Sequence, residues 1–115
     1  MSFCSVEEYI DSLSEEGKKY VKWFVEFMEE EYPQLKAKIS FSMPMWWKGE
    51  KMRDGYVAVS AAKNHVSIHF SDENFVGFLC ERLPDSKRGK RCVNICYRDD
   101  ASFQTVLEGV KQFLG

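Results

Sequence analysis

The sequence predicts an α+β fold in which helices pack on one face of a mostly antiparallel β-sheet. Apolar residues recur at helical spacing near both ends of the chain, whereas they alternate with polar residues in the middle. The chain has 115 residues, 44% of them hydrophobic, and contains no linker or internal repeat. We therefore expect a single domain over residues 1–115, with the element order α-α-β-β-β-α-β-α.

Two helices are predicted before residue 33. Ser5-Val6-Glu7-Glu8 has the pattern of a capping box, which opens a short helix through about Leu13. Ser14 is a second helix cap, and Pro33 ends the longer helix that follows it. The apolar stripe of the longer helix indicates that it packs on the sheet. This stripe contains Tyr20, Val21, Phe24, Val25, Phe27 and Met28.

The middle of the chain carries the meander of strands. Ile39, Phe41 and Met43 alternate with serines, which predicts one half-buried strand that Pro44 interrupts. Two further strands are predicted over 56–62 and 65–70, with Asn64 in the turn between them. Sequential strands with such short connections are expected to pair antiparallel.

The last part of the chain predicts a helix, a strand and a helix. Asp72 is a helix cap, the strand covers residues 92–97, and the final helix covers residues 99–113. A basic run over residues 87–91 surrounds a glycine, so it is expected to be a solvated loop that leads into the strand.

Composition excludes several classes of function. The chain has 16 Lys and Arg against 18 Asp and Glu, so its net charge of -2 does not favour nucleic acid as a partner. It contains no stretch of about 20 apolar residues and no secretory signal, so we expect no membrane partner and a cytoplasmic location. The four cysteines are expected to be reduced thiols in the core, because that compartment disfavours disulfides.

Two motifs in the middle of the chain resemble the YdhG-like family. They are Lys38-Ile39-Ser40-Phe41-Ser42-Met43-Pro44-Met45-Trp46 and Ala61-Ala62-Lys63-Asn64-His65-Val66, and residues 6–13 and 86–90 resemble other parts of that family. Most members have no assigned activity, and one branch is described as a frataxin-like intracellular iron chaperone. The resemblance therefore implies a non-enzymatic cytosolic binding protein, with iron as its most concrete ligand.

A run of glutamates near the end of the second helix is the candidate metal site. Glu29, Glu30 and Glu31 lie where the helix dipole disfavours negative charge, and Glu26 and Glu30 are one turn apart on the same face. The candidate ligands are Glu26, Glu29 and Glu30. Carboxylate oxygens are suitable ligands for a hard cation such as iron. The alternative interpretation is an ordinary solvated helix face.

A second candidate site is a pocket for a small anionic or aromatic ligand, or for a protein partner. It assumes that Trp46 returns close to the turn at Lys63, Asn64 and His65. Trp46 would then stack on the ligand, while Lys63 and His65 would supply an anion contact and a titratable hydrogen-bonding group. The alternative is that residues 63–65 only form a turn and that Trp46 covers the core.

Catalysis has little support in the sequence. It contains no glycine-rich phosphate loop, no nucleophile elbow and no histidine pair at helical metal-binding spacing. Cys80 or Cys92 would need a neighbouring histidine to act as a nucleophile, and nothing in the sequence places them together. No residue pattern predicts an oligomeric state.

Overall fold

The computed structural model describes residues 5–83, 87–89 and 91–115. The helices in these ranges are α1 (Val6–Asp11), α2 (Glu15–Glu31), α3 (Glu73–Cys80) and α4 (Asp100–Leu114). The strands are β1 (Ala37–Ser40), β2 (Met43–Trp47), β3 (Tyr56–Ala61), β4 (His65–Phe70), β5 (Lys87–Arg88) and β6 (Cys92–Cys96). A short 3-10 helix over Met52–Asp54 precedes β3. No helix in the described ranges has the length and apolar character needed to cross a membrane.

The strands form one sheet in the order β1-β2-β3-β4-β6-β5, and every neighbouring pair is antiparallel. The predicted α+β class with a mostly antiparallel sheet is therefore confirmed. The connection from β4 to β6 passes through α3, and β5 then pairs on the outer side of β6. This crossover places β4 and β6 side by side in the middle of the sheet.

The helices begin where the polar cap residues predict. The hydroxyl oxygen of Ser5 accepts a hydrogen bond from the Glu8 amide at 3.2 Å, and that of Ser14 accepts one from the Gly17 amide, also at 3.2 Å. Asp72 and Asp99 cap α3 and α4 in the same way. Each cap satisfies an amide that has no partner inside its helix, so these short polar signals fix the helix starts.

The helices pack on the same face of the sheet, as expected. Trp46, Val57 and Phe70 lie opposite one another across β2, β3 and β4, and all three are at most 1% exposed. The Phe24 ring of α2 lies 5.5 Å from the Trp46 ring. The same core contains residues of the other three helices, including Tyr9, Val76 and Phe103. One continuous apolar core therefore lies between the sheet and the helix layer.

Tyr20 links α2 to the start of α4. Its hydroxyl group donates to a carboxylate oxygen of Asp100 and accepts a hydrogen bond from the Arg98 amide at 2.7 Å. Its ring stacks on Tyr97 at 5.5 Å. Burial and the neighbouring Asp100 carboxylate raise the pKa of Tyr20 to about 12, so the hydroxyl is protonated at neutral pH.

The predicted single strand over residues 38–43 is wrong, because the chain reverses direction inside it. Ser40 pairs with Met43, and the two residues between them, Phe41 and Ser42, have φ angles of 53° and 62°. Two consecutive positive φ angles characterise a type I′ hairpin turn. Such turns favour Asn-Gly, so Phe-Ser gives no turn signal in the sequence. Pro44 does not interrupt a strand but lies within β2, opposite Ile39.

The turn predicts that Phe41→Asn combined with Ser42→Gly stabilises the protein. Positive φ costs an ordinary side chain about 1–2 kcal/mol, and Asn-Gly adopts this turn readily. We expect the free energy of unfolding to rise by about 1 kcal/mol, measured by urea denaturation at pH 7. Phe41→Ala is the matched control, because it removes the ring and keeps a Cβ atom at positive φ. A double variant no more stable than that control would contradict this account of the turn.

Two smaller expectations also need correction. Lys87 and Arg88 form the edge strand β5 rather than a loop, and Lys90 in the same basic run lies outside the described residues, as does Ser86 of the family motif. Cys4 lies outside the described residues, and Cys80, Cys92 and Cys96 form no disulfide, as expected. They are not core residues, because Cys96 is exposed and the other two are only partly buried.

Candidate functional site

The second face of the sheet lies on the side away from the helix layer, and we call it the open face, although Met45 and Ala58 within it are completely buried. Met45, Ala58, His69 and Cys92 form a row across β2, β3, β4 and β6 in the strand pairing. Each is one residue away from a core residue, so alternation along the strands places the row on the opposite side. On β1, β2, β3, β4 and β6 the open face contains Lys38, Ser40, Met43, Met45, Trp47, Tyr56, Ala58, Ser60, His65, Ser67, His69, Cys92, Asn94 and Cys96. In β5, Lys87 pairs with Asn94, which gives Lys87 a position on the same face.

A small hydrogen-bonded cluster occupies the middle of the open face. The Ser60 hydroxyl oxygen lies 2.9 Å from Nε2 of His69, and the Ser67 hydroxyl donates to Oδ1 of Asn94 at 2.6 Å. Ser67 is only 7% exposed. The second ring nitrogen of His69 and the amide nitrogen of Asn94 form no hydrogen bond with any described residue. These two groups are therefore available to a bound molecule.

The cluster is electrically neutral at pH 7. Burial lowers the pKa of His69 below its usual 6.5, because the surroundings disfavour the imidazolium ion. Burial also raises the pKa of the Cys92 thiol, so the thiolate is disfavoured. Cys92 lies directly opposite His69 in the sheet. The sequence did not predict this pair, because it depends on which residues of β4 and β6 face each other.

Aromatic side chains lie at one end of the open face. Trp47 is paired with Tyr56, and the Lys38 ammonium nitrogen lies 4.4 Å from the centre of the Trp47 ring. The indole nitrogen of Trp47 is buried and has no hydrogen-bond partner among the residues that the structure describes. This end of the face therefore combines flat apolar surface with one positive charge.

The structure does not bring Trp46 close to His65. Trp46 is level with Phe70 across the sheet, whereas His65 is at the other end of β4, about 17 Å further along the strand. Trp46 also points into the core and is 1% exposed, so its ring is not a wall for a ligand. The physical reason is the alternation of side chains: Trp46 is on the helix side and Trp47 is on the open side.

The other three residues of that candidate pocket remain together. Lys63 and Asn64 are exposed in the turn between β3 and β4, where Asn64 was predicted. The turn is closed by a hydrogen bond from the Ala62 amide to the His65 carbonyl oxygen at 2.8 Å. His65 is half-buried on the open face, opposite Cys96. These residues form the turn of a hairpin at the margin of the open face.

The candidate metal residues Glu26, Glu29 and Glu30 are exposed on α2. The last turn of this helix contains no basic residue, and Lys111 of α4 pairs with the adjacent Glu31 at 3.0 Å. This contact raises the pKa of Lys111. Within residues 5–83, 87–89 and 91–115, no three His, Cys, Asp or Glu side chains are grouped as a metal site would require.

The sequence matches no protein-family model and no curated protein. The structure is similar to the crystal structure of YdhG from Bacillus subtilis, a protein of the DUF1801 family, with a TM-score of 0.68 and 14% sequence identity. The similarity covers 89% of this chain and 84% of that chain. The YdhG-like fold implied by the sequence motifs is therefore confirmed. At this identity the similarity establishes the fold alone.

Burial of His69 predicts that acidification destabilises the protein. The unfolded chain binds a proton at His69 near pH 6.5, whereas the folded protein binds it only at lower pH. In that window the unfolded state holds more protons, so stability falls as the pH is lowered from 6.5. One such group changes the free energy of unfolding by at most about 1.4 kcal/mol per pH unit.

The measurement is urea denaturation of wild type and His69→Gln between pH 5 and 7.5. We expect the free energy of unfolding to depend less steeply on pH in His69→Gln than in the wild type over this window. Gln104→Ala, which removes no titratable group and is exposed on α4, is the control and should retain the wild-type slope. Equal slopes in wild type and His69→Gln would mean that His69 titrates normally in the folded protein.

Proposed function

We propose that this chain is a non-enzymatic binding protein and that the open face is its binding surface. The observation that carries the proposal is the cluster of Ser60, Ser67, His69 and Asn94 in the middle of that face. Its groups are fixed by hydrogen bonds to one another, and the free nitrogens of His69 and Asn94 point to a ligand that hydrogen-bonds. A prearranged set of this kind binds with little loss of side-chain entropy.

The ligand class that fits best is a small polar molecule with a planar group. The neutral imidazole of His69 and the amide of Asn94 recognise hydrogen-bonding groups, whereas Trp47 and Tyr56 provide flat apolar surface. Lys38 adds a positive charge beside Trp47, which favours a ligand with a negative charge. Cys92 and Cys96 are free thiols, which agrees with a reducing compartment, and we propose that binding takes place in the cytoplasm.

A non-enzymatic role agrees with the protonation states of the open face. A cysteine nucleophile needs a lowered pKa, usually beside an imidazolium ion, whereas burial shifts Cys92 and His69 in the opposite directions. Both side chains are therefore neutral near pH 7. Neutral, hydrogen-bonded groups are better suited to recognition than to nucleophilic attack.

Iron binding and delivery is the second candidate function. It is favoured by Glu26 and Glu30, which are exposed one turn apart on α2, in a helix with no basic residue in its last turn. Weak, exposed carboxylate ligands suit a protein that must release its cargo. Iron is the cargo in this proposal, and the site is on the helix layer rather than on the open face.

The two candidates predict different responses in one NMR experiment. Amide chemical shifts are recorded while small organic acids, amides or ferrous iron are added to the protein. The open-face proposal predicts shifts in β3, β4 and β6 on addition of an organic ligand. It also predicts that Asn94→Ala weakens that binding at least about tenfold, because one hydrogen bond to the ligand is lost. Gln104→Ala, on the exposed side of α4 and outside the open face, should bind as wild type does.

Iron that binds at α2 should instead shift residues in the C-terminal half of that helix. Glu26→Gln combined with Glu30→Gln should then abolish saturable iron binding. The control is Glu7→Gln combined with Asp11→Asn, an exposed pair at the same spacing on α1, which should leave iron binding unchanged. Organic ligands that leave the open face unshifted, or that bind Asn94→Ala unchanged, contradict the open-face proposal. Iron binding that shows no saturation contradicts the second candidate function.

A further inference from the structure

The outer edge of β1 has backbone groups without hydrogen-bond partners. The two-residue turn of the β1–β2 hairpin makes Ser40 and Met43 a hydrogen-bonded pair, and alternation along β1 makes Lys38 the next residue bonded to β2. The amide and carbonyl groups of Ala37 and Ile39 therefore point away from β2. No hydrogen bond joins these four groups to any residue that the structure describes.

The two edges of the sheet differ in character. β5, at the other edge, consists of Lys87 and Arg88, and charged residues protect a strand edge from further pairing. β1 instead directs Ala37 and Ile39 toward the helix layer, where Ile39 packs against the core. A strand added beside β1 would extend the sheet and place its own alternate side chains on this apolar side.

The tip of the same hairpin exposes an aromatic ring. Phe41 is 74% exposed and has a φ angle of 53°, which is costly for a residue with a Cβ atom. Neither feature stabilises the chain by itself, since Asn-Gly would form this turn at lower cost. Backbone strain and exposed aromatic residues are both found at binding sites. The hairpin therefore has the features of a contact surface.

We propose that β1 binds an extended acidic segment of another protein, which adds to the sheet as a further strand. The free amide and carbonyl groups of Ala37 and Ile39 require a partner backbone in the extended conformation. Lys36 and Lys38 are exposed and form no ion pair with a described residue, so they favour a partner that carries carboxylates. This edge role is independent of ligand binding on the open face.

A second copy of this chain is a poorer partner for the edge. In the antiparallel register that pairs all four free groups, Ala37 lies opposite Ile39 of the other copy, and the two Lys38 residues lie directly opposite each other. Residues in such a position have Cα atoms about 4.5 Å apart, and like charges there are destabilising. An Asp or Glu opposite Lys38 is stabilising instead. Lys38 therefore disfavours self-association and selects an acidic partner.

The pairing also predicts the sequence of the bound segment. Residues opposite Ala37 and Ile39 lie on the helix side, next to the partly buried Ile39 side chain, and should be apolar and β-branched. The residue between them lies opposite Lys38 on the open face and should be Asp or Glu. The expected motif is apolar-acidic-apolar, in an extended segment without proline.

Titration of the full chain with a synthetic peptide tests this inference. The peptide has the central sequence Thr-Val-Asp-Val-Thr, and binding is followed by amide chemical shifts. We expect the largest shifts at Ala37 and Ile39, with a dissociation constant of about 0.1–1 mM, because exposed hydrogen bonds contribute little net free energy. Peptide shifts confined to other parts of the chain, or no shifts up to about 5 mM peptide, overturn the inference.

An N-methylated peptide is the matched control for the backbone contacts. Methyl groups on the nitrogens of both valines remove the two amide hydrogens that point at β1 and keep the side chains. This peptide should bind at least about tenfold more weakly. Equal binding of the methylated peptide would show that the contact is not a strand pairing.

A charge exchange tests the proposed register. Wild type should prefer the Asp peptide to the same peptide with Lys at the centre by about threefold or more, and Lys38→Glu should reverse this preference. Lys38→Gln, which only removes the charge, should show no preference. Lys22→Glu, an exposed site on α2, should retain the wild-type preference. An unchanged preference in Lys38→Glu and Lys38→Gln would contradict the register.

The remaining outcomes separate this inference from its alternatives. Shifts of Ala37 and Ile39 that change with protein concentration in the free chain would show that a second copy occupies the edge, and would overturn the proposed partner. Peptide binding at β1 without organic ligands on β3, β4 and β6 supports the edge and removes the small-ligand role. Ligand binding on the open face without peptide binding has the opposite meaning.

Discussion

The structure depends on one constraint, which is that all of its helices bury apolar surface against the same side of one sheet. Val57, Val59, Ile68 and Phe70 are completely buried on that side, together with Phe24 of α2. Because neighbouring residues of a strand point to opposite faces, filling one side commits the remaining residues to the other. The open face is thus a direct consequence of where the core lies, and its chemistry is determined by residues that the core does not use.

Much of this fold is predictable from local patterns, whereas the site is not. The caps at Ser5, Ser14, Asp72 and Asp99 and the alternation in β4 are local signals, so helix starts and the central hairpin follow from the sequence. The hairpin at Phe41 and Ser42 cannot be predicted from the sequence, because neither residue is typical of a type I′ turn. The adjacent Trp46 and Trp47 cannot be told apart without the strand register, so the pocket predicted from the sequence contains the buried Trp46 instead of Trp47.

The polar cluster also cannot be predicted without knowing how the strands pair. Ser60 and His69 are on neighbouring strands, and Ser67 and Asn94 are separated by a whole crossover through α3, so no short motif joins them. The similarity to YdhG establishes the arrangement of strands and helices and assigns no chemistry to them. In this chain the open face has a hydrogen-bonded neutral centre, and none of the six described strands contains Asp or Glu.

The central claim, that the two faces of the sheet have opposite environments, is tested most directly by hydroxyl-radical footprinting of the native chain in dilute solution. Trp46 and Trp47 are adjacent in sequence, have the same intrinsic reactivity and differ only in the face that they occupy. The account predicts that Trp47 is oxidised readily and that Trp46 is protected until the protein unfolds. Equal oxidation of the two residues, or protection of Trp47 with oxidation of Trp46, would contradict it.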